Sequence, residues 1–169
     1  YYLFAGLAGG AGAATIAYKL FDHVQVRVRV WKDPWSEITG KGRQVAQSLF
    51  AIGTGGWFGM GLGKGLTKGI PVEESDFIFP RISEELGGIF AFCIILIYIS
   101  CFIMFINIAM KIKKQFYKLT ALGLSVVFIF QVFLTLGGVT KLIPSTGVTL
   151  PLISYGGSSV LSTIILFSI

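Results

Sequence analysis

An uncharged apolar stretch from Leu86 to Met110 constrains this chain more than any other feature of the sequence. As an α-helix it would be about 37 Å long at 1.5 Å per residue, which exceeds the roughly 30 Å of a bilayer's hydrocarbon core. A second apolar stretch runs from Leu119 to Val139. Only 13% of the residues are charged, whereas soluble domains carry about a quarter. The sequence therefore predicts membrane-spanning helices.

Two further segments extend this pattern. Residues 1–21 are apolar and rich in glycine and alanine, which suits close packing between membrane helices. Residues 155–169 begin another apolar segment. With no initiator methionine and no signal-peptide region, we interpret the chain as a fragment of a larger polytopic protein. The predicted fold class is all-α, a polytopic membrane helix bundle with about four spans in a single domain.

Lysine placement predicts the orientation of these spans. Four lysines lie in the short connection 111–118, and positive charge in short loops marks the cytoplasmic side. Residues 22–85 and 140–154 are then extracellular loops, the first of them large and structured. The net charge of +6 is explained by topology and by contact with anionic headgroups, and we predict no nucleic-acid partner.

The large loop begins with an alternating pattern. Valines at positions 24, 26, 28 and 30 alternate with polar residues, and this period of two predicts a short amphipathic strand or extended piece on the membrane. The functional alternative is that Arg27 and Arg29 face a phosphate, because a guanidinium group donates bidentate hydrogen bonds. Further along, apolar spacing predicts a helix over Arg43–Ala51.

Eight glycines lie between positions 53 and 69. A nucleotide-binding loop is excluded, because Gly63-Lys64 is followed by Gly65 and not by Ser or Thr. The composition predicts a tightly turning re-entrant segment. A functional alternative is that its backbone N–H groups face a phosphate, with Lys64 nearby.

A carboxylate stands beside large apolar side chains where the long loop meets the membrane. Asp76 directly precedes Phe77, Ile78 and Phe79. An exposed structural aspartate rarely has such neighbours, whereas a carboxylate that acts on an amphipathic substrate would. Asp76 is therefore the leading candidate for chemistry. Ser83-Glu84-Glu85 is instead expected to cap the following span and to place two acids in its first turn.

Polar residues near the end of the chain are further candidates. Gln131 lies in the middle of a predicted span, so it should face the bundle interior or a cavity. Two prolines bracket an apolar stretch in the last loop and predict a rigid re-entrant turn. The helix that follows begins with small polar residues, including Ser158, that allow close packing or a ligand. Cys93 and Cys101 lack metal-ligand spacing, and no metal site is predicted.

Together these residues resemble the SEDS family (shape, elongation, division and sporulation), the FtsW/RodA/SpoVE group. The matching blocks follow the family's order over nearly the whole chain. They are Asp33-Pro34-Trp35, Gln47-Ser48-Leu49, the glycines of 53–63, Ser75 to Phe79, Glu84 to Gly87, Gln131 with Gly137-Gly138, and Pro144 to Ser159.

The resemblance implies the C-terminal part of a peptidoglycan glycosyltransferase with about ten spans, of which hydropathy shows four here. Such proteins lie in the bacterial cytoplasmic (plasma) membrane and serve cell division, elongation or sporulation. They polymerise lipid II, an undecaprenyl diphosphate-linked disaccharide peptide, beside a class B penicillin-binding protein that crosslinks the product. The partner's helix is expected to dock on 86–110 and 119–139, which carry Phe102, Phe105, Phe128 and Phe133.

The resemblance also implies that Asp76 is the catalytic residue. As a general base it would take the proton from the acceptor hydroxyl, and desolvation by Phe77 and Phe79 would raise its pKa. Arg27, Arg29, Lys64 or a divalent cation (Mg²⁺ or Mn²⁺) would neutralise the departing diphosphate; no cofactor is certain. A lipid II flippase or a non-catalytic scaffold of the cell-wall machinery remains the alternative.

The predicted topology is testable with single cysteines in the full-length protein, after its native cysteines have been replaced. Since the lysine-rich connection should be cytoplasmic, Lys113→Cys should resist a membrane-impermeant thiol reagent in intact cells. Ser75→Cys, beside the proposed catalytic residue, should react. Labelling of position 113 from outside would contradict the orientation.

Overall fold

The computed structural model describes residues 2–35, 42–65 and 77–168. Within these ranges the regular structure is entirely α-helical, with no strand, which confirms the all-α class. The helices are α1 Tyr2–Leu20, α2 Asp22–Lys32, α3 Arg43–Gly55, α4 Ile78–Leu86, α5 Gly88–Lys111, α6 Gln115–Val139 and α7 Gly157–Ser168.

Among the described helices, α5 and α6 are long and apolar enough to cross a membrane. Only 17% and 22% of their most apolar windows are buried within the protein. Water would penalise so large an apolar surface, whereas lipid does not. These two helices have the length, the apolar composition and the low burial of membrane spans, in agreement with the prediction of a membrane protein. The count of four spans stays a prediction.

The antiparallel pair α5 and α6 forms the centre of the fold. Only Ile112–Lys114 connects the two helices, and a connection this short makes neighbours antiparallel. Tyr98 of α5 and Phe128 of α6 lie in their shared core with Leu150, which belongs to the last loop. Phe128 is therefore unavailable to a partner helix, contrary to the prediction from sequence, because its ring packs inside the bundle.

The short helix α4 lies at the end of this pair where α5 begins and α6 ends. Phe77 and Phe79 are buried in a cluster with Ala91 of α5 and Val139 of α6. Gly87 ends α4 with a φ of +92°, a conformation that glycine adopts without steric cost.

The prediction that Ser83 caps the membrane span is wrong. Ser83, Glu84 and Glu85 form the last turn of α4, because the positive φ of Gly87 breaks the helix before α5 begins. Two acids are unfavourable at the negative end of a helix. Here Arg81 pairs with Glu85.

The predicted strand over 24–30 is also wrong, since these residues belong to α2. Trp31 Nε1 donates to the Lys141 carbonyl at 3.0 Å, and Arg27 Nη1 donates to the Ser145 carbonyl at 3.1 Å. Arg27 and Trp31 lie one helical turn apart, on the same side of a helix. Packing on the last loop thus overrides the β-propensity of the valines.

The helix predicted over Arg43–Ala51 is confirmed within α3. Buried Ser48 donates from Oγ to the Val139 carbonyl at 3.1 Å, which ties α3 to the end of α6. Gly55 packs against α4, since a Cβ added there would lie 2.7 Å from Glu84 Cα. The α3 helix therefore contacts both α4 and the end of α6.

Candidate functional site

Asp76 lies outside the described residues, so the site is built from its described neighbours. Phe77, the next residue in the sequence, is 4% exposed. Its cluster contains Ala91 near the start of α5 and Val139 at the end of α6. Phe77, which directly follows Asp76 in the sequence, is therefore buried where α4 packs on both α5 and α6.

An open groove lies beside this point, with a volume of about 690 Å³. The first half of α4, the turn before α7 and the apolar face of α7 form its walls. Apart from Arg81, the lining is mainly apolar. The lining residues are Ile78, Arg81, Ile153, Ser154, Tyr155, Gly156, Gly157, Val160, Leu161 and Ile164.

Arg81 is a candidate site residue that sequence analysis missed. It follows Ile78 by three positions, so both side chains lie on one face of α4 and both line the groove. Its side chain is 29% exposed, and Nε lies 3.4 Å from Glu85 Oε1. The available signal was a lone arginine within the apolar residues that follow Asp76. Arg81 therefore supplies positive charge to the groove from the wall that α4 forms.

The last loop forms the opposite wall and is held by polar side chains of both spans. Gln131 Nε2 donates to the Thr149 carbonyl at 3.0 Å, and Thr135 Oγ1 donates to the Val148 carbonyl at 2.9 Å. Tyr98 donates its hydroxyl proton to the Pro151 carbonyl. Non-helical backbone that packs on apolar helices requires such pairing, because a buried carbonyl without a partner costs free energy. Gln131 thus faces the bundle interior, while its predicted contact with substrate stays a prediction.

Arg27 and Arg29 of α2, both predicted to face a phosphate, have different surroundings in the structure. Arg27 reaches Ser145, and Ser145 packs on Gly138, where an added Cβ would lie 3.3 Å from its Cα. Because Gly138 adjoins Val139, Arg27 lies on the same end of α6 as the Phe77 cluster. Arg29 is exposed, and its carbonyl accepts a hydrogen bond from Asp33 N.

Lys64 and Ser158 lie near different parts of the site. Lys64 is exposed and precedes Gly65, which packs on Glu84 near the end of α4. Glu84 follows Phe77 by seven residues, about 10 Å along a helix. Ser158 is exposed in the first turn of α7, next to Gly157 of the groove lining. Of the two, Ser158 lies nearer the groove.

Glu84 is a second residue whose importance the sequence did not reveal. Its side chain is 1% exposed and lies 3.4 Å from Thr54 Oγ1. A Cβ on Gly65 would lie 2.7 Å from Glu84 Oε2, so the chain passes very close to this carboxylate. Gly65 thus lies at the end of α4, whereas Phe77 directly precedes its beginning.

Within the described part of the chain, no group of three or more His, Cys, Asp or Glu residues is arranged to hold a metal ion. Glu73, Glu74 and Asp76 lie outside that part. A divalent cation therefore remains a prediction from the family resemblance.

Comparison with known proteins assigns the whole chain to one family. Residues 1–169 match the family model for FtsW/RodA/SpoVE, described as cell cycle protein. The peptidoglycan glycosyltransferase RodA of Mycobacterium tuberculosis (strain H37Rv) is 43% identical over 164 residues, covering 97% of this chain and 35% of the relative. Stage V sporulation protein E of Bacillus subtilis (strain 168) is 38% identical, covering 94% of this chain and 44% of the relative.

A solved structure has the same fold. One chain of a peptidoglycan synthase complex, described for its coordination of polymerization and crosslinking, superimposes with a TM-score of 0.73 at 26% identity. The match covers 98% of this chain and 46% of that chain. The present chain thus spans less than half the length of these relatives.

The hydrogen bonds that hold the last loop give a direct stability prediction. Thr135→Val removes the donor to the partly buried Val148 carbonyl, and an unpaired carbonyl costs at most about 1–3 kcal/mol, the range for a fully buried group. We expect a lower midpoint of thermal unfolding for the full-length protein in detergent. Thr120→Val is the matched control, since Thr120 Oγ1 bonds only the Phe116 carbonyl of its own helix at 3.0 Å. Equal losses in the two variants would contradict the bridging role.

Proposed function

This chain belongs to the FtsW/RodA/SpoVE family of cell cycle proteins, and we propose that the protein it is part of polymerises lipid II into peptidoglycan glycan strands in the bacterial plasma membrane. The observation that carries the proposal is the groove beside α4. Its lining includes Ile78, which follows Asp76 by two positions in the sequence, and Arg81. The names of the mycobacterial relatives as peptidoglycan glycosyltransferases support it.

The groove suits a substrate with an anionic head and an apolar tail. Arg81 supplies positive charge at the α4 wall. Leu161 and Ile164 extend the lining along α7, and both are more than half exposed. An isoprenoid diphosphate has this combination of charge and apolar length. The lipid-linked donor would therefore lie with its diphosphate near α4 and its chain toward lipid.

The reaction then requires one base and one stabilised leaving group. Asp76 accepts the proton of the acceptor sugar's hydroxyl, and the hydroxyl oxygen forms the new glycosidic bond. The bond between the donor sugar and its diphosphate breaks as this bond forms, and the diphosphate leaves with the electron pair. Arg81, with Arg27 on the same end of α6, stabilises the charge of the leaving group.

Lys64 is a weaker candidate for this charge than Arg81. It lies near the far end of α4, whereas Arg81 lines the groove itself. Arginine also suits a diphosphate better, because its planar fork donates two parallel hydrogen bonds. We therefore assign the principal diphosphate contact to Arg81. No step is assigned to Mg²⁺ or Mn²⁺.

A class B penicillin-binding protein is the proposed partner. Its single helix would dock on the exposed faces of α5 and α6, where Phe133 and Ile97 are more than half exposed. The structural match to one chain of a peptidoglycan synthase complex supports this partner. Phe105 and Phe128, which pack on each other, serve the bundle core instead.

A flippase that moves lipid II would use the same lipid-facing groove, and a scaffold would need neither base nor cation. The base distinguishes these alternatives, because only polymerisation requires proton removal from an acceptor hydroxyl.

Asp76→Asn tests the proposed base in the full-length enzyme with its partner. The amide keeps the size and hydrogen bonding of the side chain but cannot accept the proton. General base catalysis contributes a factor of about 10²–10⁴, so glycan-strand formation from purified lipid II should fall by that factor. Membrane insertion and partner binding should remain. Polymerisation at the parent rate would favour the flippase or the scaffold.

Arg81→Gln tests the leaving-group contact. A hydrogen bond to a charged group is worth about 1.5–3 kcal/mol, so the polymerisation rate should fall roughly tenfold to a hundredfold. Glu85→Gln is the matched control, because it removes the same ion pair but leaves the guanidinium in place. Lys64→Gln should retain near-parental activity. A Glu85→Gln loss as large as that of Arg81→Gln would show that the ion pair, and not the contact with substrate, matters.

A further inference from the structure

The glycine-rich loop at residues 56–65, here called the aromatic loop, exposes large apolar side chains. Trp57 is 74% exposed, Phe58 87% and Leu62 76%, and Met60 is also exposed. The loop contains no acidic residue, and its one charged side chain is the exposed Lys64. A concentration of apolar surface in so few residues marks an interaction site.

The aromatic loop is held firmly in place by its backbone. Met60 N and Gly61 N donate to the carbonyls of Glu84 and Glu85, at 2.9 and 3.0 Å. Gly59 has a φ of +77°, which lets the chain turn back on itself. The exposed side chains therefore project from a fixed backbone at the end of α4.

The same backbone joins the aromatic loop to the beginning of a membrane span. Gly88 N donates to the Gly56 carbonyl at 2.8 Å, and Ile89 N donates to the Trp57 carbonyl at 3.3 Å. The fit is close, since a Cβ on Gly87 would lie 2.6 Å from the Phe58 carbonyl carbon. The tip of the loop thus lies level with the first turn of α5.

The surface of α5 at this level is itself apolar and exposed. Ile89 and Phe90 are nearly half exposed, and Phe92 is 59% exposed. Because α5 crosses the membrane, its first turn lies where the hydrocarbon core meets the headgroups. The exposed apolar side chains of the aromatic loop lie beside this part of α5 and enlarge its apolar surface.

We propose that the aromatic loop inserts Trp57, Phe58 and Leu62 into the interfacial region of the lipid bilayer. Tryptophan favours this depth, because its ring is apolar and its N–H remains hydrated. Lys64 suits the same placement, since its long side chain reaches anionic headgroups. The loop then anchors the end of α4 at headgroup level. This proposal goes beyond the polymerase activity and does not depend on it.

A spin label at position 58 measures this placement in the full-length protein. The label is attached to Phe58→Cys in a cysteine-free background, and the protein is reconstituted in vesicles of equal parts phosphatidylethanolamine and phosphatidylglycerol. Accessibility to oxygen, which concentrates in lipid, is compared with accessibility to a water-soluble nickel chelate. Phe92→Cys on α5 provides the lipid reference, and Lys113→Cys between the spans provides the water reference.

We expect the oxygen-to-nickel ratio at position 58 to lie between those of the two references and to exceed the ratio at Lys64→Cys. A ratio equal to that at position 113 would place the loop in water and overturn the proposal. Low accessibility to both reagents would also overturn it, because another part of the protein would then cover the loop.

A photoreactive phenylalanine analogue at position 58, with the partner transpeptidase present, separates lipid from protein contacts. Lipid adducts support the proposal, whereas adducts mainly to the transpeptidase or to the protein itself contradict it. The Asp76→Asn variant should give the same adducts and ratios, so failure of the polymerase assignment would leave this result unchanged.

Discussion

The pairing of backbone carbonyls in the last loop is the constraint on which this structure depends. Val148, Thr149 and Pro151 lie outside the helices beside α5 and α6, and their carbonyls take side-chain donors. Gln131, Thr135 and Tyr98 supply these donors from two different spans. This pairing lets an irregular segment form one wall of a groove among membrane helices, and it links the loop's position to the packing of both spans.

The helix α4 connects the packed ends of the two spans with the candidate active site. Its beginning is buried at Phe77 between two spans, and its end holds Gly65 against Glu84. Gly65 and Phe77, the described residues on either side of Asp76 in the sequence, thus lie at the end and at the beginning of α4. Arg81 projects from the same helix into the groove. One short helix thus carries Arg81 at the groove and begins two residues after the proposed base, Asp76.

Sequence reasoning succeeded where a single local property decides the outcome and failed where packing decides it. The apolar length of α5 and α6 and the spacing of α3 were sufficient to predict these helices. Alternating valines suggested a strand, but contacts from Arg27 and Trp31 to the last loop stabilise a helix. Ser83 resembled a helix cap, yet the break at Gly87 assigns it to α4. The first error concerns residues whose partners are distant in the sequence, whereas the second depends on the backbone conformation of Gly87, four residues after Ser83.

The sequence alone determined that the chain is helical, that it enters a membrane and which family motifs it carries, because composition, apolar length and residue order are local properties. The tertiary structure decided that Arg81 faces the groove, that Glu84 is buried against Gly65 and that Gln131 holds the last loop. These facts depend on which surfaces of α3, α4 and the last loop meet the two spans. Such contacts arise from packing between distant segments, and no local pattern encodes them.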